Sequence, residues 1–239
     1  MTKGYFITGT DTGVGKTVVT AGLMAGWRQR GIEAIAMKPV ATGGVLVDGQ
    51  LIAEDAQFYL KTGNLDLPQS DINCYCFQPA VSPHLAAALT GQQIQLSVIR
   101  QAFTRLTKQY QLVLVEGAGG LCVPLTGPEF TMADLAKDLG LPLIIVARPG
   151  LGTINHTVLT VKWAQHLGLT VKGIIINGCN PTGLDLMEQN NVAMITQMTG
   201  APILGLLPQV DGLSVEKNNP VNLVEIINAH LNWHELLEP

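Results

Sequence analysis

Short apolar runs recur along the chain, and longer stretches with apolar residues three or four positions apart lie between them. Short runs bounded by glycine or proline are typical of buried strands, whereas three-to-four spacing is typical of helices. The apolar runs predict strands at residues 5–8, 33–38, 112–115, 143–146, 173–176 and 203–206. The amphipathic stretches predict helices near residues 16–29, 51–60, 96–108, 132–139, 154–167 and 184–198. Residues 65–80 carry the weakest pattern, and we predict a long loop there.

Strands and helices alternate in this prediction, as they do in βα units around a parallel sheet. Right-handed crossovers then place helices on both faces of a doubly wound, mainly parallel sheet. Open α/β sheets bind ligands at the carboxyl ends of their strands, so we expect functional residues to collect there. The 239 residues contain no repeat and no low-complexity linker, and we expect one domain covering residues 1–239.

Composition and charge narrow the class of protein. Hydrophobic residues make up 47% of the chain and charged residues 13%, which favours an α/β enzyme over a disordered segment or a coiled coil. A formal net charge of -4 and dispersed basic residues indicate that nucleic acid is not a partner. The longest apolar run, 141–147, contains Pro142 and is far shorter than the roughly 20 residues of a membrane span. We therefore expect no membrane association.

The amino terminus and the cysteines indicate a cytoplasmic protein. Only a very short apolar run precedes a glycine-rich pattern at the amino terminus, which leaves no room for a signal peptide. The four cysteines are dispersed and are expected to be reduced in the cytoplasm, and Cys74 and Cys76 lack the spacing of metal ligands.

The segment GTDTGVGKT, residues 9–17, lies between a predicted strand and a predicted helix. That is the context of a phosphate-binding loop, in which backbone N–H groups and the helix amino end bind phosphate oxygens. Lys16 would neutralise the terminal phosphates, and Thr17 would bind Mg²⁺. Five residues rather than four separate Gly9 from Gly15, so the loop is a variant of the usual pattern. The alternative is a glycine-rich turn that binds nothing.

An acid and a lysine follow other predicted strands. Glu116 ends an apolar strand and precedes GAGG, so its carboxylate is placed to bind a phosphate-bound Mg²⁺. Lys38 ends a second strand before Pro39 and would stabilise charge on a transferring phosphoryl group or a carboxylated amine. The alternatives are a solvated glutamate at a turn and a surface lysine at a strand end.

Three further residues have two interpretations each at this point. Thr42 follows in a glycine-flanked turn, where it either contacts a substrate or simply forms the turn. Glu54 and Asp55 are neighbours on a predicted helix and point in different directions, so only one of them would reach a metal ion.

Several segments, taken together, resemble the dethiobiotin synthetase family over nearly the whole chain. The resemblance rests on their order and spacing: GTDTGVGKT, KPVATG from Lys38, Asp55, SPH at 82–84, VEGAGG at 115–120, LPLIIVARPG at 141–150 and GTINH at 152–156. It implies a P-loop NTPase-like fold and an ATP- and Mg²⁺-dependent ligase. The family converts 7,8-diaminononanoate, CO₂ and ATP into dethiobiotin, ADP and phosphate through a carbamate and a carbamic-phosphoric anhydride.

The resemblance also assigns roles to residues. Catalysis falls to Lys38, Lys16 and Thr12, and Mg²⁺ binding falls to Thr17, Asp55 and Glu116. Substrate contacts fall to Thr42, Gly152, Thr153 and Asn155. ATP contacts fall to Gly13, Val14, Gly15, Lys16, Thr17, Val18, Asp55, Glu116, Gly117, Ala118, Gly119, Asn177, Leu207, Pro208 and Gln209.

In the family, the loop at 150–155 reaches across a subunit interface, which implies a homodimer with the substrate site at that interface. Read from the residues alone, Asn155 and His156 fit equally well as helix-cap and surface residues. Two positions depart from the pattern of some members: Gly13 stands in place of a glutamate, and Gly150 stands in place of a lysine with Arg148 nearby.

Two other functions are compatible with a phosphate loop. A partner-regulated switch ATPase of the partition type would carry a lysine at the start of its loop, where this chain has Asp11. A cobyrinate-type amide ligase usually carries an additional glutamine-hydrolysing domain, for which 239 residues leave little space.

Overall fold

A computed structural model describes residues 4–237 of the chain. In chain order its elements are β1 (Gly4–Gly9), α1 (Lys16–Gln29), β2 (Ala34–Thr42), β3 (Val45–Val47), β4 (Gln50–Ile52), α2 (Glu54–Thr62), β5 (Asn73–Phe77), α3 (Pro83–Leu89), α4 (Leu96–Gln109), β6 (Leu112–Gly120), β7 (Pro124–Gly127), β8 (Phe130–Thr131), α5 (Met132–Asp138), β9 (Leu143–Ala147), α6 (Thr153–His166), β10 (Val171–Cys179), α7 (Leu186–Thr199), β11 (Ile203–Pro208), α8 (Leu223–His230) and α9 (Trp233–Leu237).

The described residues form a seven-stranded sheet in the order β11-β10-β9-β1-β6-β2-β5, in which every neighbouring pair is parallel. Strands β1 and β9 are buried along their whole length, because helices cover both faces of the sheet. The predicted α/β class with a doubly wound parallel sheet is therefore confirmed.

The sheet order brings three strand ends together. Strand β6 lies between β1 and β2, so the carboxyl end of β6 is flanked by the phosphate loop after β1 and by the end of β2. Helix α1 packs against β2 on the sheet and against α2 beside it, and this contact fixes α2 near the same edge. The topology alone thus concentrates residues from β1, β2, β6 and α2 in one crevice.

The six predicted strands and six predicted helices are present, with shifts at their ends. Strands β2, β6 and β10 each extend further than predicted, so Lys38 and Glu116 lie inside strands rather than at their last positions. The helix predicted at 51–60 begins at Glu54, because Leu51 and Ile52 belong to β4. Asp48 and Gly49 both have positive φ and form the tight turn of the β3–β4 hairpin.

The long loop predicted at 65–80 is wrong, because it contains a short 3-10 helix at 69–71 and the edge strand β5. Strand β5 has the sequence NCYCF, is only partly buried along its centre, and pairs with β2 alone. A half-buried edge strand does not need the aliphatic run that identifies a central strand. Within residues 4–237, the helices are all too short or too polar to cross a membrane.

Candidate active site

The phosphate loop joins β1 to α1, and its conformation requires glycine. Gly13 and Gly15 have φ values of 76° and 93°, in the left-handed region that favours glycine. Gly15 caps the amino end of α1, and a Cβ atom there would lie 2.0 Å from Nδ2 of Asn177. The loop backbone therefore approaches a neighbouring side chain more closely than any other residue type allows.

Lys16 is the first residue of α1 and is 7% exposed. Its Nζ donates a hydrogen bond of 3.0 Å to the backbone oxygen of Asp11, inside the loop. Burial lowers the pKa of the Lys16 ammonium, an effect that the nearby Glu116 carboxylate partly offsets. The lysine is thus curled over the loop and bonded to an uncharged acceptor.

Thr17, Lys38, Asp55 and Glu116 form one network at the mouth of the crevice. The Thr17 hydroxyl lies 2.8 Å from Asp55 Oδ1 and 3.0 Å from Glu116 Oε1. The Lys38 ammonium lies 2.7 Å from Asp55 Oδ2 and 2.6 Å from Glu116 Oε1. Residues from β2, β6, α1 and α2 therefore meet at a single point, and of the neighbours Glu54 and Asp55 it is Asp55 that contacts Thr17 and Lys38.

The network perturbs the protonation of its members. Burial would lower the pKa of Lys38, but Asp55 and Glu116 outweigh it and hold that pKa above the usual lysine value. Burial would likewise raise the pKa of Asp55, but the charge and hydrogen bond of Lys38 keep it below the usual aspartate value. At neutral pH Lys38 is therefore an ammonium and Asp55 a carboxylate, and the two form an ion pair.

Tyr59 joins the network and was missed by the sequence-based prediction. It lies one turn after Asp55 on α2, is fully buried, and donates its hydroxyl hydrogen to Glu116 Oε2. Burial raises the pKa of Tyr59 well above the usual tyrosine value, and the Glu116 carboxylate raises it further. The four-residue spacing from Asp55 was the available signal, because it places both side chains on one helix face.

A cavity of about 450 Å³ lies over the network and the phosphate loop. The predicted residues Thr12, Val18, Thr42, Ala118 and Gly119 are among those that line it. Sequence reasoning did not place Val40, Val215 or Glu216 there. The full lining is Thr12, Gly13, Gly15, Lys16, Thr17, Val18, Lys38, Val40, Thr42, Glu54, Asp55, Glu116, Ala118, Gly119, Val215 and Glu216.

Gly117 does not line the cavity, unlike Glu116, Ala118 and Gly119 on either side of it. It is buried, and a Cβ atom on it would lie 2.9 Å from the ring of Phe6 in β1. Its glycine identity is therefore explained by the close packing of β6 against β1.

Four of the residues assigned to ATP lie outside this cavity, at the ends of β10 and β11: Asn177, Leu207, Pro208 and Gln209. Asn177 is in β10, opposite Leu207 of β11, and its Nδ2 donates a hydrogen bond of 3.0 Å to the backbone oxygen of Val14. The Leu207 side chain is buried, whereas Pro208 is half-buried and Gln209 is exposed. The backbone N–H of Gln209 donates to Cys179 O at 2.8 Å, which holds the two strand ends together.

Gly152, Thr153 and Asn155 do not line the cavity over the phosphate loop. Gly152 caps the amino end of α6, and Asn155 is exposed in the first turn. The Thr153 side chain is buried, with its hydroxyl 3.3 Å from that of Thr157. Within the described chain, this helix end is therefore separate from the cavity over the phosphate loop.

The donor set of the network suits Mg²⁺. Thr17, Asp55 and Glu116 offer a hydroxyl and two carboxylates within hydrogen-bond distance of one another. Mg²⁺ prefers oxygen ligands and is commonly held by one or two carboxylates together with substrate phosphates and water. Residues 4–237 contain no cluster of three His, Cys, Asp or Glu side chains that could hold a metal ion.

The fold of this chain is similar to that of a ParA family ATPase and to that of the protein MinD. A ParA family ATPase from Chlorobium tepidum TLS superposes with a TM-score of 0.60, covering 99% of this chain and 100% of that one at 17% identity. The septum site-determining protein MinD from Pyrococcus horikoshii, complexed with Mg-ADP, superposes with a TM-score of 0.57 at 16% identity, covering 95% and 93% of the two chains. At such low identities the likeness concerns the fold alone.

Sequence comparison identifies much closer relatives. The family described as an AAA domain matches residues 3–217. An ATP-dependent dethiobiotin synthetase from Clostridium kluyveri is 40% identical, over 96% of this chain and 93% of the relative. An enzyme of the same name from Anoxybacillus flavithermus is 46% identical, over 89% of this chain and 94% of the relative. Another from Thermodesulfovibrio yellowstonii is 38% identical, over 91% of this chain and 93% of the relative. The chain belongs to the ATP-dependent dethiobiotin synthetase family.

Proposed function

We propose that this protein catalyses the ATP- and Mg²⁺-dependent carboxylation and ring closure of 7,8-diaminononanoate with CO₂, giving dethiobiotin, ADP and phosphate in biotin biosynthesis. The observation that carries the proposal is the ammonium of Lys38 between Asp55 and Glu116, directly beside the phosphate loop. Family membership supplies the substrate class, and the crevice supplies the charges that the reaction needs.

The first task of the site is to hold the triphosphate. In this proposal the backbone N–H groups from Gly13 to Val18 and the amino end of α1 bind phosphate oxygens. The Lys16 ammonium exchanges the Asp11 carbonyl for a charged phosphate oxygen, which is the stronger acceptor. Thr17, Asp55 and Glu116 would hold Mg²⁺, which, when bound, neutralises phosphate charge.

The second task is chemistry on the diamine. One amine adds to CO₂ and loses a proton to give a carbamate, and a carbamate oxygen attacks the γ-phosphorus of ATP while the bond to ADP breaks. The second amine then attacks the carbonyl carbon of the carbamic-phosphoric anhydride, and phosphate leaves as the ring closes. Lys38 and Lys16 stabilise the negative charge that develops on the transferring group, and Thr12 and Thr42 position it.

Base recognition is assigned to the ends of β10 and β11. The Asn177 amide has a free oxygen and a second N–H besides the one that it donates to Val14, so it can pair with both a donor and an acceptor on adenine. The neighbouring strand end carries Leu207, Pro208 and Gln209, which complete the proposed base site. Because the Leu207 side chain is buried, this residue would contact the base through its backbone atoms.

We further propose that the protein is a homodimer and that the amino end of α6 from one copy completes the substrate site of the other. Leu159 and Trp163 are 61% and 43% exposed and lie one turn apart on α6, and Leu151, in the turn that precedes the helix, is 86% exposed. Gly152, Thr153 and Asn155 at the same helix end would then contact the carboxylate of the substrate through backbone and amide N–H groups.

The dimer is tested by sedimentation of the protein and of Leu159→Glu. We expect a dimer for the protein and a monomer for Leu159→Glu, because a buried charge in an apolar interface is costly. Leu89→Glu, at a 63% exposed position on α3, is the control and should remain dimeric. A dimer that persists in Leu159→Glu would contradict this interface.

The proposal also covers the domain organisation, the partners and the location of the protein. The single hydrophobic core, which includes residues from Tyr5 to Leu236, supports one domain over residues 1–239. The assigned partners are small molecules, with ATP as co-substrate and Mg²⁺ as cofactor, and not nucleic acid or a membrane. The assigned location is the cytoplasm.

The test of function is phosphate release from Mg-ATP in the presence of bicarbonate, with and without 7,8-diaminononanoate, followed by mass detection of the product. Stoichiometric dethiobiotin and phosphate are expected only when the diamine is present. ATP turnover that is indifferent to the diamine would favour a partner-regulated switch ATPase instead. Turnover that requires a carboxylic acid and an ammonia donor would favour a cobyrinate-type amide ligase.

A further inference from the structure

Both oxygens of the Glu116 carboxylate are engaged, and each by a different kind of partner. Oε1 lies 2.6 Å from the Lys38 ammonium and 3.0 Å from the Thr17 hydroxyl, at the mouth of the crevice. Oε2 accepts a hydrogen bond from the Tyr59 hydroxyl, which lies behind the carboxylate in the core. Glu116 is 1% exposed and Tyr59 is 0% exposed, so both groups are withdrawn from bulk water.

Packing alone does not explain a tyrosine at this position. Phe58, the preceding residue on α2, is also fully buried and carries no hydroxyl, so this helix meets the demands of core packing without a polar atom. A buried tyrosine hydroxyl is tolerated when it has a partner, and here its partner is one of the assigned metal ligands. The hydroxyl therefore has a role directed at Glu116.

The position of Tyr59 on α2 supports that role. Asp55 and Tyr59 are four positions apart, so they lie on one face of α2. This face presents a carboxylate to Thr17 and Lys38 and a hydroxyl to Glu116. Any change in the placement of α2 would move both groups together. Helix α2 thus holds the Asp55 carboxylate at a fixed distance from the Tyr59 hydroxyl, and that hydroxyl contacts the second carboxylate, Glu116.

We propose that Tyr59 is a positioning residue for the metal site: its hydroxyl fixes the rotation of the Glu116 carboxylate so that Oε1 faces Thr17 and Lys38. The terminal torsion of a glutamate side chain is broad, and a hydrogen bond to the far oxygen restricts it. Partners that orient metal ligands from behind contribute strongly to metal affinity. This inference rests on the proposed function, because it takes Glu116 as a ligand of Mg²⁺.

The experiment compares the protein with Tyr59→Phe, which removes one oxygen atom and keeps the ring. ADP binding is measured by calorimetry over a series of MgCl₂ concentrations, so the readout does not depend on turnover. We expect the Mg²⁺ concentration at half-maximal enhancement of ADP binding to rise about tenfold in Tyr59→Phe. ADP affinity without Mg²⁺ should stay within about twofold, because Tyr59 does not line the cavity.

Tyr5→Phe is the matched control. Tyr5 is also buried, and its hydroxyl donates to the backbone oxygen of Leu236 at 3.1 Å, remote from the metal ligands. Loss of that hydrogen bond should lower the melting temperature without moving the Mg²⁺ response. A Mg²⁺ response that moves equally in both variants would mean that Tyr59 acts only through general stability, and the proposal would be wrong.

A double-mutant comparison isolates the link to Glu116. If Tyr59 acts through Glu116, then Tyr59→Phe should have little further effect on the Mg²⁺ response of Glu116→Gln, since residues that act together are not additive. A full tenfold effect in that background would refute the proposal. If Mg²⁺ enhances ADP binding to the parent protein and Tyr59→Phe shows the same Mg²⁺ dependence, only the role of Tyr59 is refuted. A parent protein whose ADP binding ignores Mg²⁺ refutes the metal site itself and this inference with it.

Discussion

Replacement of Lys38 by methionine is the most informative perturbation of this site. The Lys38 and Glu116 side chains are 7% and 1% exposed, and that of Asp55 is 25% exposed, so the variant leaves two poorly hydrated carboxylates without their shared cation. Removal of one partner from a buried ion pair costs about 3–5 kcal/mol. Because Asp55 is partly hydrated and both acids keep hydroxyl donors, we expect the lower end, about 3 kcal/mol of the free energy of unfolding.

The cost should depend on pH with a defined sign. Lys38 holds the folded-state pKa of Asp55 below its usual value, so this stabilisation is complete above the unfolded aspartate pKa of about 3.9 and is lost as the pH falls through the lower folded value. Lys38 itself has a raised pKa, so its contribution is complete below about pH 10.4 and is lost only at higher pH. The difference between the protein and Lys38→Met should therefore be largest near neutral pH and shrink below about pH 4.

Urea unfolding followed by circular dichroism measures this difference directly. For a chain of this length, 3 kcal/mol corresponds to a melting temperature lower by roughly 6–12 °C. Lys61→Met, at an exposed position on the same helix as Asp55, is the control and should change stability by no more than about 0.5 kcal/mol. A Lys38→Met variant as stable as the Lys61→Met control at pH 7 would refute the idea that the ammonium is needed between the two carboxylates.

Three further substitutions test separate parts of the crevice. Lys16→Ala should lower turnover by about a hundredfold or more, measured as phosphate release, because a charge that stabilises the transferring group is lost; near-normal turnover would contradict the assignment. Glu116→Gln should raise the Mg²⁺ concentration needed for half-maximal turnover by at least about tenfold, and an unchanged requirement would count against its role as a ligand. Gly15→Ala should weaken ADP binding in calorimetry far more than Gly13→Ala. The reason is that a Cβ on residue 15 would lie 2.0 Å from Asn177, whereas nothing lies within 4 Å of a Cβ on residue 13. Equal losses of ADP affinity would mean that backbone strain alone accounts for the effect of both substitutions.

The central strands and their helices were predictable because their signals are local. Helix α1 begins and ends at the predicted residues, since a glycine-rich loop precedes it and its apolar spacing is continuous. The aliphatic runs of β1 and β9 follow from burial between two layers of helices. Edge strand β5 escaped because it faces solvent along one side and has no aliphatic run.

The β3–β4 hairpin did carry a signal that the prediction did not use. Asp48 and Gly49 lie between the segments VLV and QLI, and an Asp-Gly pair between two such short segments is typical of a two-residue hairpin turn. Assigning Leu51 to a helix instead displaced the start of α2 by three residues. The error had no effect on the site, since Asp55 remained in the first turn of the helix.

The sequence identified Lys38, Asp55 and Glu116 as candidates for one site, but it missed Tyr59 and specified none of the contacts. Lys38 and Glu116 are 78 positions apart in the chain, and only the adjacency of β2 and β6 brings them within hydrogen-bond distance. A sequence pattern identifies the carboxyl end of a strand, but it does not specify which strands are neighbours. For the same reason the spacing of Tyr59 from Asp55 indicates that both lie on one face of α2, but it does not indicate that the Tyr59 hydroxyl contacts Glu116 on β6.

The two lysines of the crevice, equivalent in the sequence pattern, are distinct in the fold. Lys16 donates to an uncharged backbone oxygen and has a pKa lowered by burial, so a phosphate oxygen is a better partner than the one it has. Lys38 is held by two carboxylates and has a raised pKa, so it already has the partners an ammonium prefers. Loss of Lys16 should therefore leave the free energy of unfolding nearly unchanged and impair nucleotide chemistry, whereas loss of Lys38 should impair both. Comparison of unfolding and turnover in Lys16→Ala and Lys38→Met separates these roles, and equal destabilisation by the two substitutions would show that the separation is wrong.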